Sequence, residues 1–227
     1  MCFFVGNGMV SSKRRMLLKT TVRSITMILT SETSIEITKE ELKKLPRDYF
    51  QGEVVLVETT KDAVKAAAIL AHEGVIGVDT ETKPSFKKGQ RNTACLLQLA
   101  SKDICFLFRI HKFSLPQEIL DIFSDETIIK SGVAVFDDFK ELQKIYKFTP
   151  RSVVDLNILA PKYGFKSIGA QKLTGILLGF YLSKKQQVSN WEAVSLSDGQ
   201  KRYAASDAWI GREIYLKMIQ MDRIQKN

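Results

Sequence analysis

Residues 75–82 read VIGVDTET, an apolar run that ends in two carboxylates spaced two apart. Its β-branched residues, preceded by Gly74, predict a strand over 75–81. Strand side chains alternate between faces, so Asp79 and Glu81 project together from the strand's end. Carboxylates without partners are costly inside a protein. More acids on apolar backgrounds follow downstream. In KSGVAVFDDFKEL (130–142), residues 128–135 predict a buried strand, and a helix over 138–147 follows with Phe139, Leu142 and Tyr146 on its apolar stripe. Asp138 lies one turn before Leu142 on that stripe. Asp137 shares its face with Glu141 and Lys144 and is expected in solvent. In QKRYAASDAW (200–209), Tyr203 and Asp207 head a stripe continued by Ile210, Ile214 and Met218. Ser197 and Gln200 fit a capping box that opens this helix.

Acids converging from distant parts of a chain repel one another unless cations bridge them. All-oxygen ligand sets suit hard ions such as magnesium or manganese. Taken singly, each residue has a plainer reading. Asp79 and Glu81 could simply end a strand, and Asp137 and Asp138 could favour a helix N-terminus. Tyr203 could be core with a satisfied hydroxyl, and Asp207 could pair with a nearby base. Together these readings require several independent coincidences in one order along the chain.

That order, DxE, then Asp, then YxxxD, resembles the 3′-5′ exonuclease superfamily with a tyrosine-type third motif, which is DnaQ-like and ribonuclease H-like. KSGVAVFDD (130–138), SNWEAVSLSDGQKRYAASDAWIG (189–211) and the LLQLAS strand (96–101) resemble most closely the Werner-syndrome exonuclease domain and its relatives, and more distantly ribonuclease D. The resemblance runs from about residue 54 to 218. It implies that Asp79, Glu81, Asp138 and Asp207 hold two divalent cations, Mg2+ or Mn2+, and that Tyr203 orients the attacking water. Thr80 and Thr82, flanking the second acid, would meet substrate, with Thr82 on the terminal nucleotide. Ribonuclease D and proofreading domains usually carry asparagine four residues before the third acid. Here that position is Ala134, which favours the Werner-like branch. The histidine-type branch needs a histidine where this chain has Arg202, and His72 and His111 lie elsewhere. Asp155, in VVDLNIL, is read as structural, since the resemblance supplies four acids without it.

Composition agrees with this reading. The 227 residues suffice for one domain with a full core, and 44% hydrophobic with 26% charged residues is ordinary globular chemistry. Of a formal charge of +9, five units come from Lys13, Arg14, Arg15, Lys19 and Arg23, which leaves +4 for the rest. A mildly basic body suits a polyanion. Residues 1–26 are expected to be a disordered basic tail or a start-site artefact, with Met27 an alternative start, and 27–227 a single exonuclease domain. Cys2, Cys95 and Cys105 show no metal spacing and suit reduced thiols in an intracellular protein, so a cytoplasmic location is expected. The longest uncharged run, 1–12, falls short of the roughly 20 residues that span a bilayer, and no membrane partner is expected.

Along the chain, strands are predicted at 53–58, 75–81, 93–100, 104–108, 128–135 and 152–155. Turn-prone residues Pro84, Gly89 and Asn92 join the second and third. Helices are predicted at 61–73, with Val64, Ala67, Ala68 and Ala71 inward, and at 116–123 and 138–147, with mostly helical sequence afterwards. The alternation is that of an α/β protein. With the resemblance it implies a ribonuclease H-like three-layer fold, a mixed five- or six-stranded sheet flanked by helices. In the long loop over 184–195, Lys184 and Lys185 beside Gln186 and Gln187 suit phosphate contact or plain solvation equally. Trp191 is read as a packing anchor in preference to a base-stacking platform. Arg91, before the LLQLAS strand, is placed within reach of substrate.

The expected reaction is hydrolysis of the last phosphodiester at a single-stranded or recessed 3′ end, releasing nucleoside 5′-monophosphates with two cations about 4 Å apart. DNA is the favoured substrate and DNA repair the expected process. A ribonuclease D-like RNA-processing exonuclease and a non-cleaving end-binding module stand as alternatives. The sequence places no contact to a 2′-hydroxyl.

Overall fold

A computed structural model describes residues 35–83 and 93–225, with side chains to 222. The basic tail over 1–26, the turn residues of 84–92 and Arg91 lie outside the described residues. In chain order the elements are α1 (Lys39–Lys44), β1 (Glu53–Val57), α2 (Thr60–Leu70), β2 (Val75–Thr82), β3 (Ala94–Ala100), β4 (Ile104–Phe108) and α3 (Gln117–Ser124). They continue as β5 (Ile129–Gly132), α4 (Val135–Gln143), β6 (Val153–Asp155), α5 (Leu156–Leu159), a 3-10 turn (Ala160–Tyr163), α6 (Ala170–Leu178) and α7 (Asp198–Gln225). Among the described residues the six strands form one mixed sheet in the order β1-β4-β3-β2-β5-β6. β2, β3 and β4 make an antiparallel meander, whereas β5 and β6 run parallel to β2, and β1 parallel to β4. Among the described residues, seven α-helices flank it.

β3 is buried along its whole length, as a central strand covered on both faces must be. On one face, Ile76, Val78, Leu97 and Leu99 pack with residues of α2, α3 and α4 such as Leu70, Ile119 and Phe139. Aromatic edges close that core, with Phe123 and Phe139 5.2 Å apart in a T-shaped pair and Phe148 5.1 Å from Phe123. On the other face, Leu96, Ala100, Cys105 and Leu107 meet Ala204, Ala205 and Ala208 of α7, with Trp191 at the margin.

α7 lies unusually close to the sheet, and small residues permit it. A Cβ on Gly77 would collide with the Ala208 carbonyl, and one on Gly211 would stand 2.8 Å from the Ser131 carbonyl. Hydrogen bonds then fix the helix's register: the Ser131 hydroxyl donates to the Gly211 carbonyl at 3.0 Å, and Arg212 Nε to the Val75 carbonyl at 3.1 Å. The Ser197–Gln200 capping box opens α7, with Gln200 N donating to Ser197 Oγ at 3.2 Å and Ser197 N to Gln200 Oε1 at 3.0 Å. Ile210, Ile214 and Met218 are fully buried, as their stripe predicts.

Three expectations need correction. α2 buries Ala63, Ala66, Ala67 and Leu70, while Val64 is 37% exposed and Ala68 and Ala71 face outward. An alanine-rich helix offers two nearly equal stripes, and the sheet takes the one carrying leucine. β5 is shorter than 128–135, and α4 starts at Val135, three residues before the expected 138. The cause is tertiary: Ala134 adopts a left-handed conformation with φ 61°, which ends the strand abruptly and starts the helix. The Asp155 carboxylate braces this turn, accepting from the amides of Ala134 at 3.2 Å, Phe136 at 3.4 Å and Asn157 at 2.9 Å. It is occupied as a structural acid would be. Among the described residues, no helix is long and apolar enough to cross a membrane.

Candidate active site

The seating of α7 decides what meets at the end of β2. Asp79 lies two residues beyond Gly77, and Asp207 directly precedes Ala208, so the contact between Gly77 and Ala208 brings the two acids together. Asp79, Glu81 and Asp207 each offer a carboxylate oxygen, all within 4.8 Å of one another. All three are half-buried.

Asp138 arrives from the opposite layer, at the start of α4. It stands outside that tight trio but near enough for its charge to bear on both Asp79 and Glu81. Thr80 Oγ1 donates to Asp138 Oδ1 at 2.5 Å, so β2 supplies acids on one face and a tether for the fourth acid on the other. The Thr80 hydroxyl is thus engaged within the protein, whereas the expectation placed it on substrate. Asp137 faces solvent and pairs with Lys140 at 2.9 Å, as its helical face predicts.

The electrostatics follow from this crowding. Burial above all, then the charges of Asp138, Asp207 and Glu81, holds Asp79 well above the usual carboxylate range. Burial and the Asp207 and Asp138 charges push Glu81 up to about 9. Burial lifts Asp207 to about 7 against the Tyr203 hydroxyl and the Lys184 ammonium, which favour its ionised form. Asp138 also rises to about 7 through burial, against the Thr80 hydroxyl. Carboxyl groups that resist ionising together lack positive charge, and an all-oxygen set of this kind fits a hard divalent cation.

Tyr203 stands one helical turn before Asp207. Burial first, then the Asp207 carboxylate, raises its phenol well above the ordinary range, so the hydroxyl keeps its proton. Its ring lies 6.0 Å from that of Trp191, which is fully buried and acts as the packing anchor expected. The Trp191 indole N–H is near enough to Glu81 to oppose its rise, yet it falls short of hydrogen-bond geometry and stays unpaired. Thr82, past a bulge at the end of β2, and Lys184 are both exposed at the site's rim.

The loop carrying Lys184 and Trp191 is pinned by a residue that sequence reasoning missed. Arg109, fully buried just after β4, donates to the carbonyls of Ala193 and of Val194, the latter at 2.9 Å, and to Glu58 at 3.0 Å. Gln200 Nε2 holds the Asn190 carbonyl at 3.2 Å, and Lys83 pairs with Glu192 at 2.9 Å. The only local signal was a cation directly following the apolar ICFLF.

Comparison with known proteins agrees with this architecture. A family model described as 3'-5' exonuclease matches residues 54–221. The Drosophila melanogaster protein named exonuclease 3'-5' domain-containing protein 2 is 37% identical over 134 residues, 57% of this chain and 23% of that protein. The mouse bifunctional 3'-5' exonuclease/ATP-dependent helicase WRN is 33% identical over 156 residues, 66% of this chain but 11% of its own length. The chain therefore spans only a minor part of these relatives. Escherichia coli RNase D, described as an exoribonuclease involved in structured RNA processing, superposes with a TM-score of 0.68 at 21% identity, covering 75% of this chain and 46% of that one. That likeness shows a shared ribonuclease H-like fold. With its six-stranded sheet, its converging acids and a family match over most of its length, the chain belongs to the 3′-5′ exonuclease family.

Proposed function

We propose that the chain hydrolyses the terminal phosphodiester at the 3′ end of a nucleic acid, releasing nucleoside 5′-monophosphates with the help of divalent cations. One observation carries this reading: three carboxylates within 4.8 Å, with Asp138 beside them and a protonated phenol above. Asp79, Glu81, Asp207 and Asp138 would hold two cations, Mg2+ or Mn2+. When bound, the cations supply positive charge that activates the attacking water and stabilises the leaving 3′ oxygen.

The chain's own residues do the rest. Tyr203, kept protonated, positions the attacking water through its hydroxyl. Thr80 holds the Asp138 carboxylate in place. Thr82, exposed at the end of β2, is placed to meet the terminal nucleotide. Lys184, exposed and close enough to Asp207 to favour its ionised form, supplies a mobile positive charge for a phosphate. With an RNA-processing exoribonuclease among the fold neighbours and the exonuclease/helicase WRN among the relatives, the substrate is proposed as a nucleic acid 3′ end, RNA or DNA, single-stranded or recessed.

Matched 5′-labelled DNA and RNA oligonucleotides, single-stranded and with recessed 3′ ends, test this in magnesium, manganese or chelator. The expected result is a cation-dependent ladder shortening from the 3′ end, and its sugar preference names the substrate. End binding without cleavage in either cation would overturn hydrolysis in favour of a binding module.

A further inference from the structure

Asp79 has a neighbour across the strand pair whose presence the four acids do not explain. Gln98, in the middle of β3, pairs in register with Asp79. Residues directly opposite on antiparallel strands share a face, with Cβ atoms about 4.5–5.5 Å apart. That face is the one beneath α7. Gly77, two residues before Asp79, abuts Ala208, and Leu96 and Ala100, two residues either side of Gln98, belong to the cluster packed under α7.

Gln98 is fully buried, and neither its Oε1 nor its Nε2 has a hydrogen-bond partner. A stranded buried polar group destabilises the fold, so a glutamine within a strand of otherwise apolar buried residues needs a reason. Its other register partner, Leu107 on β4, is apolar and offers none. The polar group on its row is Asp79.

We propose that Gln98 is a positioning residue for Asp79, its Nε2–H donating to the carboxylate when a divalent cation is bound. An ionised carboxylate only accepts hydrogen bonds, and a donor on one oxygen fixes the direction in which the other faces the ion. Such outer partners orient the ligands of metal sites, and their loss typically weakens metal affinity 10- to 100-fold. The inference rests on the reading of Asp79 as a cation ligand.

The test compares Mn2+ affinity, by calorimetric titration, and melting temperature in chelator for the full chain and its Gln98→Met and Asp79→Asn variants. Methionine keeps the volume and removes the amide. The expected result for Gln98→Met is a melting temperature equal to or above that of the parent, with Mn2+ affinity about 10-fold weaker or worse. Should that variant not fold, Gln98→Leu is judged by the same two readouts. Unimpaired Mn2+ binding in the folded variant, with Asp79→Asn impaired, overturns the role of Gln98 alone. Unimpaired binding in Asp79→Asn overturns the cation reading itself, and the role of Gln98 with it.

Discussion

The two faces of the sheet are built to different ends. The face under α2, α3 and α4 is closed mainly by apolar side chains, from Ile76 and Leu97 to the Phe123, Phe139 and Phe148 rings, and Lys130, a cation buried among them, donates to the carbonyls of Asp125 and Ile128. The face under α7 packs smaller side chains and also holds three crowded carboxylates, a phenol, the unpaired carboxamide of Gln98 and the unpaired indole N–H of Trp191. One face is arranged for stability. The other gives up stability to keep polar groups poised, as the proposed site for cations and a nucleic acid end requires.

That contrast can be broken most sharply at Asp79. Asp79→Ala should lower turnover by at least about 1,000-fold, roughly 4 kcal/mol of barrier, while leaving the metal-free melting temperature unchanged or higher. Retained activity in a nuclease assay would remove Asp79 from the proposed site. Phe139→Ala should do the reverse. Opening a cavity behind α4 is expected to cost about 3–5 kcal/mol in denaturant unfolding, and a loss under about 1 kcal/mol would show that the aromatic face is not the stabilising one. Tyr203→Phe should bind Mn2+ normally yet lose about 100-fold in rate, and an unchanged rate would make the hydroxyl dispensable.

The pH response separates the faces more finely. Carboxyls whose pKa is raised by folding bind more protons in the folded chain than in the unfolded one. Their contribution to folding is therefore full below about pH 4 and is lost as pH climbs to about 7, for Asp138 and Asp207, and to about 9, for Glu81. Glu58, held below its usual value first by the Lys112 ammonium and then by Arg109, acts in the opposite sense and only in more acidic solution. In chelator, melting temperature should fall between about pH 4 and 9, most steeply below about 7 where all three acids contribute. With Mn2+ present the fall should shrink or reverse, because the cation binds the ionised carboxylates. Parallel curves with and without Mn2+ would mean that these acids are not where the cation binds. The smallest effect lies at Ala134, where Ala134→Gly should stabilise by about 1 kcal/mol by relieving the left-handed backbone, read in the same melts. A loss of stability there would show that the turn carries no strain.

Much of this was legible in the chain because it rests on local patterns. The meander from β2 to β4 follows from alternation and apolar runs, and the stripe from Tyr203 to Met218 follows from steps of three and four. Elsewhere the deciding contacts are distant in sequence. The start of α4 depends on Asp155, some 20 residues downstream, holding the amides of a turn whose left-handed residue is an alanine. The choice of face on α2 was made by the sheet. Gln98 stood visibly within an apolar strand, but its significance depends on the register that sets it opposite Asp79. The tie between Thr80 and Asp138 likewise needs the crossing of two layers.

Val194 is 93% exposed, which would ordinarily mark an easy place for a chain to open locally and be cut. Its carbonyl and that of Ala193 are nevertheless held by the fully buried Arg109. Lifting this stretch would leave a guanidinium walled in with fewer partners, a cost of several kcal/mol that local fraying cannot meet. Resistance to proteases at Val194 should therefore track the unfolding of the whole domain.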